Sequence, residues 1–392
     1  MKSVYASVTG GGMDVHSKFT TVTMRDEKAK VVRRERLDHR DRRKLREVLS
    51  QWPPSASMVM EASFGWGWLA ELMKELGLRP ELSNCYKLQQ MRKARGWVKT
   101  NKKDADLLSL LPYEKDGWWK VWMAPPEVRD RREWMRHRSS LVRVQTETKN
   151  RIWGLFHRHG ILVELSDLFG VAGRKFQADI CLSGRAGEVV LRPGALGALK
   201  GLVELLGHVR CQLARIARDL RAQLERSGTA RRLDGIPGIG LILSHTLMAE
   251  IGLIERFESH RRLASYALLA PRSDDTGEDD GSKPIGRHLG HRGNRTLKWA
   301  FLEAAHGAVK SGGKWRVIFD RATGDGQSNR NRGYIKVARE LVKVVYVVMK
   351  KNVEYCDNPP ARPGSARRRM EQFFGSTRSG TGQPSRPMAA VH

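Results

Sequence analysis

The chain has few cysteines and no long apolar segment, and each shortage excludes a class of protein. Cys85, Cys181, Cys211 and Cys356 are scattered without a CxxC pair, so the sequence suggests neither a zinc ribbon nor a disulfide framework. The N-terminal stretch lacks the apolar core of a signal peptide. The longest late apolar run, LVKVVYVVMKK, is short and is interrupted by Lys343. We therefore expect a protein of the reducing cytoplasm with no membrane partner.

Acidic residues are also in deficit. The 392 residues include 71 Lys and Arg against 42 Asp and Glu, which gives a formal net charge of +29. This excess favours a polyanionic partner, and no basic amphipathic anchor or lipidation motif points to an anionic membrane instead. We expect the protein to bind nucleic acid and to associate with the nucleoid.

Residues 1–124 predict an α/β domain. A strand that ends at Asp14 is followed by two β-rich runs, FTTVTMRD and KVVRRERL. The helical stretch DRRKLREVLSQW, the buried strand SMVMEA, the amphipathic helix WGWLAELMKELG, a further strand and two helical stretches come next. This order, β-β-β-α-β-α-β-α, matches the ribonuclease-H-like arrangement, in which the first and fourth strands are neighbours.

Three acidic residues of this domain occupy distinctive settings: Asp14 in GGMDVHSK, Glu61 in MVMEASFGWGW and Asp104 in KTNKKDADLLSLL. The first and fourth strands would bring Asp14 and Glu61 together, and Asp104 would approach from a following helix. Carboxylates on separate elements of one domain commonly hold a divalent metal against a phosphodiester. The plainer interpretation of any single one is a solvated turn or helix-end carboxylate.

Residues 125–230 predict a long helical arm. Pro125 and Pro126 mark the boundary, an Arg-rich helix with an apolar stripe follows from residue 127 to about 158, and a second helix spans about 195–226. Each helix has a stripe to bury, so the two can pair as an antiparallel, coiled-coil-like arm. A solvated spacer and an arm for dimerisation or RNA binding both remain open.

Residues 231–356 predict a mainly helical domain with a helix-hairpin-helix. In IPGIG, Gly238 and Gly240 permit a tight turn whose backbone N–H groups can meet a phosphate, although such hairpins also occur purely as structure. The loop-like segment 273–283 offers hydroxyls and precedes a basic stretch and a helix that starts near Asn294. Hydroxyls facing cations at a helix N-terminus suit chemistry on phosphate. Residues 357–392 predict a disordered basic tail.

The candidate nucleic-acid contacts are the basic, amide and turn residues of these motifs. They are Lys99, Lys102, Lys103, Gly238, Gly240, Arg287, His291, Arg292, Asn294 and Arg295. His288 and His291 would need a third nearby Cys or His to form a metal site, and none is present.

The chain resembles the insertion-sequence-110 family of transposases, which are DEDD-type recombinases related to the Piv invertases. The resemblance rests on five motifs in this order: GMDVHSK, VMEASFGWGW, VKTNKKDADLLSLL, IPGIG and GRHLGHRGNRTLKWAFLEAA. The resemblance covers roughly residues 8–355. It implies a RuvC-like domain that binds Mg²⁺ or Mn²⁺ through four acidic positions, and a C-terminal transposase domain whose serine attacks DNA covalently. It also implies a homo-oligomer, dimer or tetramer, with composite sites, and a bridge RNA that pairs with donor and target DNA.

One departure from the family pattern lies in the acidic set. Asp14, Glu61 and Asp104 match three of the four positions, but the usual TDxxDA reads TNKKDA here, so Asn101 stands at the fourth. Asn can offer a carbonyl oxygen to Mg²⁺ but no charge. Asp106 is the alternative, although a helix turns it about 200° away from Asp104.

The second departure concerns the nucleophile. Thr276 matches the attacking serine, and its added methyl group crowds attack; Ser273 is the alternative. The sequence therefore predicts a DNA transposase or site-specific recombinase in which Asp14, Glu61 and Asp104 hold metal while Thr276 attacks. Two alternatives remain open. One is a RuvC-like nuclease without a covalent intermediate, and the other is an impaired relative that only binds DNA.

Overall fold

The structure is a computed structural model that describes residues 4–98, 100–115, 117–270, 293–324 and 329–357. The chain divides into two compact units, Met1–Pro125 and Pro126–His392. Several predicted site residues lie outside the described ranges, namely Lys99, Ser273, Thr276, Arg287, His288, His291 and Arg292. No helix within those ranges is long and apolar enough to cross a bilayer.

The first unit is built on a mixed six-stranded sheet with the strand order β3-β2-β1-β4-β5-β6. Strands β1, β2 and β3 form an antiparallel meander, whereas β1, β4 and β5 run parallel, so the predicted adjacency of the first and fourth strands is confirmed. This arrangement is compatible with a ribonuclease-H-like domain. The elements are β1 Gly10–Val15, β2 Phe19–Arg25, β3 Val31–Asp38, α1 Arg42–Leu49, β4 Ser57–Glu61, α2 Trp66–Glu75, β5 Arg79–Ser83, α3 Cys85–Ala94, α4 Asn101–Leu110 and β6 Lys120–Val121.

Apolar residues cover both faces of this sheet. Met13 and Met60 cluster on one face with residues of α1 and α2, and Val59 packs on the other face against Leu108 of α4. Helix α4 lies very close to β1 because Gly12 has no side chain. A Cβ atom added there would lie 2.2 Å from the backbone nitrogen of Ser109.

The second unit is helical in its described part, apart from one short hairpin. Its elements are α5 Pro126–Arg158, α6 Val171–Ser183, β7 Arg185–Ala186, β8 Val189–Val190, α7 Pro193–Arg226, α8 Gly228–Asp234, α9 Leu241–Ile251, α10 His260–Tyr266, α11 Arg295–Ser311, α12 Gly313–Thr323 and α13 Arg330–Lys351. The start of α5 packs on the end of α7 through Met135 and Leu220, and the end of α5 packs on the start of α7 through Phe156 and Leu202. The two long helices are therefore antiparallel. Their use as an arm for RNA or dimerisation stays a prediction.

The predicted hairpin IPGIG joins α8 to α9. Gly238 has a φ of +84°, and a Cβ atom added there would lie 2.1 Å from the carbonyl oxygen of Ala304 in α11. Packing against α11 therefore requires glycine at this position, because any side chain would push the two backbones apart. Gly240 caps α9 and has open space around it. Phosphate binding by the hairpin stays a prediction.

Candidate active site

The sheet brings Asp14 and Glu61 to the same end of the same face. Strand β1 pairs in parallel with β4, and because Met13 lies opposite Met60, the next pair in this register is Asp14 and Glu61. Side chains two residues apart along a strand share a face. Glu61 therefore faces the same side as Val59, which packs on α4.

Helix α4 carries Asp104 to this end of the sheet. A Cβ atom added at Gly12 would point at α4 between the Ala105 carbonyl and the Ser109 nitrogen, so Gly12 lies at the same height along the helix axis as residue 107. Helix α4 runs antiparallel to β1, because Gly10 lies against Pro112 further along the chain. Asp104 is therefore three residues, about 4.5 Å, closer to the Asp14 end, and helical side chains lean back by about one more residue. The total of about 6 Å is close to the rise of about 6.6 Å from Gly12 to Asp14. Asp104, which is 5% exposed, therefore lies level with Asp14.

Polar contacts hold α4 in this position from its other side. The Arg25 guanidinium donates a hydrogen bond of 2.7 Å to Ser109 Oγ, and Thr23 Oγ1 donates one of 2.7 Å to the Asp106 carboxylate. Arg34 also donates to Asp106, with Nε 3.1 Å from Oδ1. The Asp106 carboxylate is thus hydrogen-bonded to side chains of β2 and β3, which favours Asn101 over Asp106 as the fourth member of the proposed metal-binding set. Asn101 is exposed at the first residue of α4.

Each of the three carboxylates has its own polar neighbour. Asp14 Oδ2 lies 3.0 Å from His16 Nε2, and Asp104 Oδ1 accepts a hydrogen bond of 3.0 Å from Arg92 Nη1. The Arg92–Asp104 pair is largely buried, with side-chain exposures of 16% and 7%. Its charges are weakly screened there, so Arg92 balances the charge that Asp104 would offer to a metal.

Glu61 lies beside the Cys85 thiol at the start of α3. Burial and the neighbouring Glu61 carboxylate raise the pKa of Cys85 to about 11. The Cys85 sulfur also donates to the carbonyl of Ala62, at 3.2 Å. The Cys85 thiol is therefore neutral at physiological pH.

The residues present fit a divalent metal in chemistry and in backbone placement. Asp14, Glu61 and Asp104 supply hard oxygen ligands on one face and at one end of the sheet. Among the residues that the structure describes, however, no three His, Cys, Asp or Glu side chains lie close enough together to hold a metal ion. Assembly of the set requires side-chain movement, above all release of Asp104 from Arg92.

The sequence interpretation missed three residues around this site. His16 could have been found from the sequence, because the spacing Asp-x-His in an extended segment places both side chains on one face. Arg92 and Cys85 reach the carboxylates only through tertiary packing of α3, and nothing in their local sequence indicates it.

The second unit holds two of the predicted nucleic-acid contacts at the start of α11. Asn294 caps the helix, because its Oδ1 accepts a hydrogen bond of 2.9 Å from the Leu297 N–H. Its Nδ2 donates one of 2.7 Å to Glu250, which is fully buried and also receives two from Arg136, at 2.9 and 3.0 Å. Asn294 therefore has a structural role, whereas Arg295 is exposed. Lys102 and Lys103 are exposed at the start of α4.

Two family models match the chain. One, for DEDD enzymes of IS110 elements and described as "Transposase", matches residues 11–160, which include Asp14, Glu61 and Asp104. The other, described as "Transposase IS116/IS110/IS902 family", matches residues 230–317, which include the hairpin and α11.

Curated relatives agree with these models. The chain is 28% identical over 179 residues to the insertion element IS116 uncharacterized 44.8 kDa protein of Streptomyces clavuligerus, covering 45% of this chain and 43% of that protein. It is 27% identical over 160 residues to the insertion element IS110 protein of Streptomyces coelicolor, with shares of 41% and 38%. A probable family 20 transposase of Pseudomonas aeruginosa is 25% identical over 302 residues, with shares of 76% and 83%. The chain spans about two fifths of the length of the two Streptomyces proteins.

Proposed function

Because the chain belongs to the IS116/IS110/IS902 family of transposases, we propose that it is the recombinase of an insertion sequence, which cuts and rejoins DNA strands. The observation that supports this proposal is the register of β1 and β4, which puts Asp14 beside Glu61 at the end of the sheet where α4 carries Asp104. A protein of net charge +29 can place such a carboxylate set against a phosphodiester, because its cations attract the DNA backbone.

Asp14, Glu61 and Asp104 would hold Mg²⁺ or Mn²⁺, with Asn101 as an uncharged fourth position. The metal, when bound, would neutralise negative charge on the scissile phosphate. Other residues of the first unit position the carboxylates. Gly12 lets α4 approach β1, Arg25 and Thr23 fix α4 on the sheet, and Arg92 balances Asp104 until DNA and metal arrive.

Thr276 is the nucleophile of the proposal, on the strength of its position in the sequence. Its Oγ1 attacks the scissile phosphorus and gives up the hydroxyl proton, the bond to the departing deoxyribose oxygen breaks, and that oxygen ends with the proton. The threonine–DNA ester keeps the energy of the broken bond. A hydroxyl of the second DNA then attacks the ester, joins the strands and returns the threonine hydroxyl.

DNA is the substrate in this proposal, and a bridge RNA is a further proposed partner that supplies sequence choice by base pairing. Thr276 and the carboxylates belong to different units of the chain. A homo-oligomer, dimer or tetramer, would let one subunit's Thr276 serve another subunit's carboxylates. Mixing Asp14→Ala protein with Thr276→Ala protein tests this, because recombination returns only if sites are shared between subunits.

The chemistry is tested by trapping a covalent adduct. Full-length protein, Mg²⁺ and the element's RNA are incubated with a nicked suicide DNA, from which the broken strand diffuses away before it can be rejoined. We expect a protein–DNA adduct that is lost in Thr276→Ala and retained in Ser273→Ala. Cleavage without an adduct would indicate a hydrolytic nuclease instead. Recombination undiminished in both Asp14→Ala and Thr276→Ala would refute the proposal.

A further inference from the structure

A basic groove of about 410 Å³ runs between α5 and α11 in the second unit. Its lining includes Arg138 and Arg143 from α5 and Arg295 and Trp299 from α11, together with two hydroxyl residues and one valine. The described lining contains no acidic side chain. Within the described part of the chain, the one ion pair of Arg143 is an exposed contact of 4.0 Å with Glu147, outside the groove. The groove therefore presents a concentrated positive charge to whatever enters it.

Arg138 is the most unusual of these cations. It is partly buried, and burial lowers the pKa of its guanidinium because the charged form loses water. Among the residues that the structure describes, it has no carboxylate partner and no hydrogen-bond acceptor. A partly desolvated cation without a counter-charge is costly, and an anionic ligand would remove that cost.

Trp299 provides an aromatic surface in the same groove. Its side chain is 43% exposed, and it lies one helical turn after Arg295 on the same face of α11. It also borders a second cavity of about 560 Å³, whose lining includes Lys298, His306 and the acidic Glu303. A tryptophan exposed between cations is the combination by which proteins stack an unpaired base and hold its phosphates.

The groove is held in shape by a hydrogen-bond network around the buried Glu250. Glu250 of α9 binds Arg136 of α5 through two hydrogen bonds and also accepts one from Asn294, the cap of α11. Arg138 lies two residues beyond Arg136, and Arg295 follows Asn294 directly. The network therefore fixes the two walls of the groove against each other.

We propose that this groove binds an unpaired nucleotide of the DNA strand, with its base stacked on Trp299 and its phosphate on Arg138 and Arg295. The proposal rests on the recombinase function proposed above, and DNA is assigned because α11 directly follows the segment that carries Thr276. A strand must leave its duplex during strand exchange, and an unpaired base exposes the face that a tryptophan can cover.

The test measures binding by the full-length protein in EDTA, so that strand cleavage does not contribute. A labelled single-stranded DNA is titrated by fluorescence anisotropy, and 2-aminopurine in the same strand reports base stacking. We expect Trp299→Ala to weaken single-strand binding by about 5- to 150-fold and to abolish the quenching of 2-aminopurine. Duplex binding should be unchanged. Trp153→Ala is the matched control, because Trp153 is also 43% exposed but lies outside the groove.

The phosphate contact has its own readout. Arg138→Gln should lower the slope of log affinity against log salt by about 0.7 for single-stranded DNA, and Arg138→Lys should retain it because the charge remains. Equal effects of Trp299→Ala and Trp153→Ala would overturn the proposal, and so would a larger loss for RNA of the same sequence than for DNA. If wild-type protein binds as expected but never recombines DNA, the proposed function fails while the groove assignment stands.

Discussion

The substitution Gly12→Ala tests how closely α4 must approach β1 for the carboxylates to converge. The added Cβ atom would lie 2.2 Å from the Ser109 nitrogen and 2.3 Å from the Ala105 oxygen, and ordinary contact begins near 3.4 Å. Helix α4 must therefore retreat by about 1.2 Å, roughly the contact deficit. Backbone atoms cannot rotate away as a side chain can, so we expect the upper end of the usual overpacking cost, about 3 kcal/mol.

Hydrogen exchange measured by mass spectrometry reports the loss of stability for each peptide separately. A local measurement is needed because a chain of two units does not unfold in one step. A loss of about 3 kcal/mol predicts exchange about 100-fold faster in peptides from β1 and α4. Strand transfer should fall by about the same factor, since Asp104 moves by roughly 1 Å relative to Asp14. Gly201→Ala is the control, because Gly201 lies in α7 with open space around it, and alanine there should stabilise the helix by about 1 kcal/mol. Unchanged exchange in β1 and α4 of Gly12→Ala would refute the reasoning.

Two further predictions concern the neighbours of the carboxylates. Arg92→Gln leaves Asp104 buried without a counter-charge, so we expect the metal-free protein to lose about 3 kcal/mol of stability. Adding Mn²⁺ should then raise the melting temperature of the variant more than that of wild type, and equal rises would contradict this. Cys85, with a pKa of about 11 against an ordinary 9.0, should react with iodoacetamide at pH 8 about 100-fold more slowly than an ordinary thiol. The raised pKa stabilises the fold fully below pH 9, and this contribution is lost as the pH rises from 9 to 11. Urea unfolding should show that loss in wild type and not in Cys85→Ala.

The adjacency of the first and fourth strands, which places Asp14 beside Glu61, could be predicted from the order of elements, whereas the short sixth strand was not predicted. Glu61 follows the apolar run MVM and Asp104 precedes the apolar run LLSLL. The order of elements matches the ribonuclease-H-like arrangement, in which the first and fourth strands are neighbours. The long helices α5 and α7 were predictable because their apolar stripes are visible in the sequence.

The electrostatic surroundings could not be predicted in this way. Arg92 reaches Asp104 from another helix, and Glu250 binds residues 114 and 44 positions away along the chain. Such contacts depend on packing that no local pattern records. The hairpin shows a second limit, because the glycine that a phosphate-binding turn requires is also the glycine that packing on α11 requires.

The central claim, that Asp14, Glu61 and Asp104 form one metal site, is tested most directly by Mn²⁺ binding measured with electron paramagnetic resonance. The account predicts that wild-type protein with bound DNA takes up Mn²⁺ and that Asp14→Asn and Glu61→Gln each lose at least tenfold in affinity. Asp106→Asn should bind as wild type, because Asp106 is occupied by Thr23 and Arg34. Equal Mn²⁺ affinity in wild type and Asp14→Asn would contradict the account.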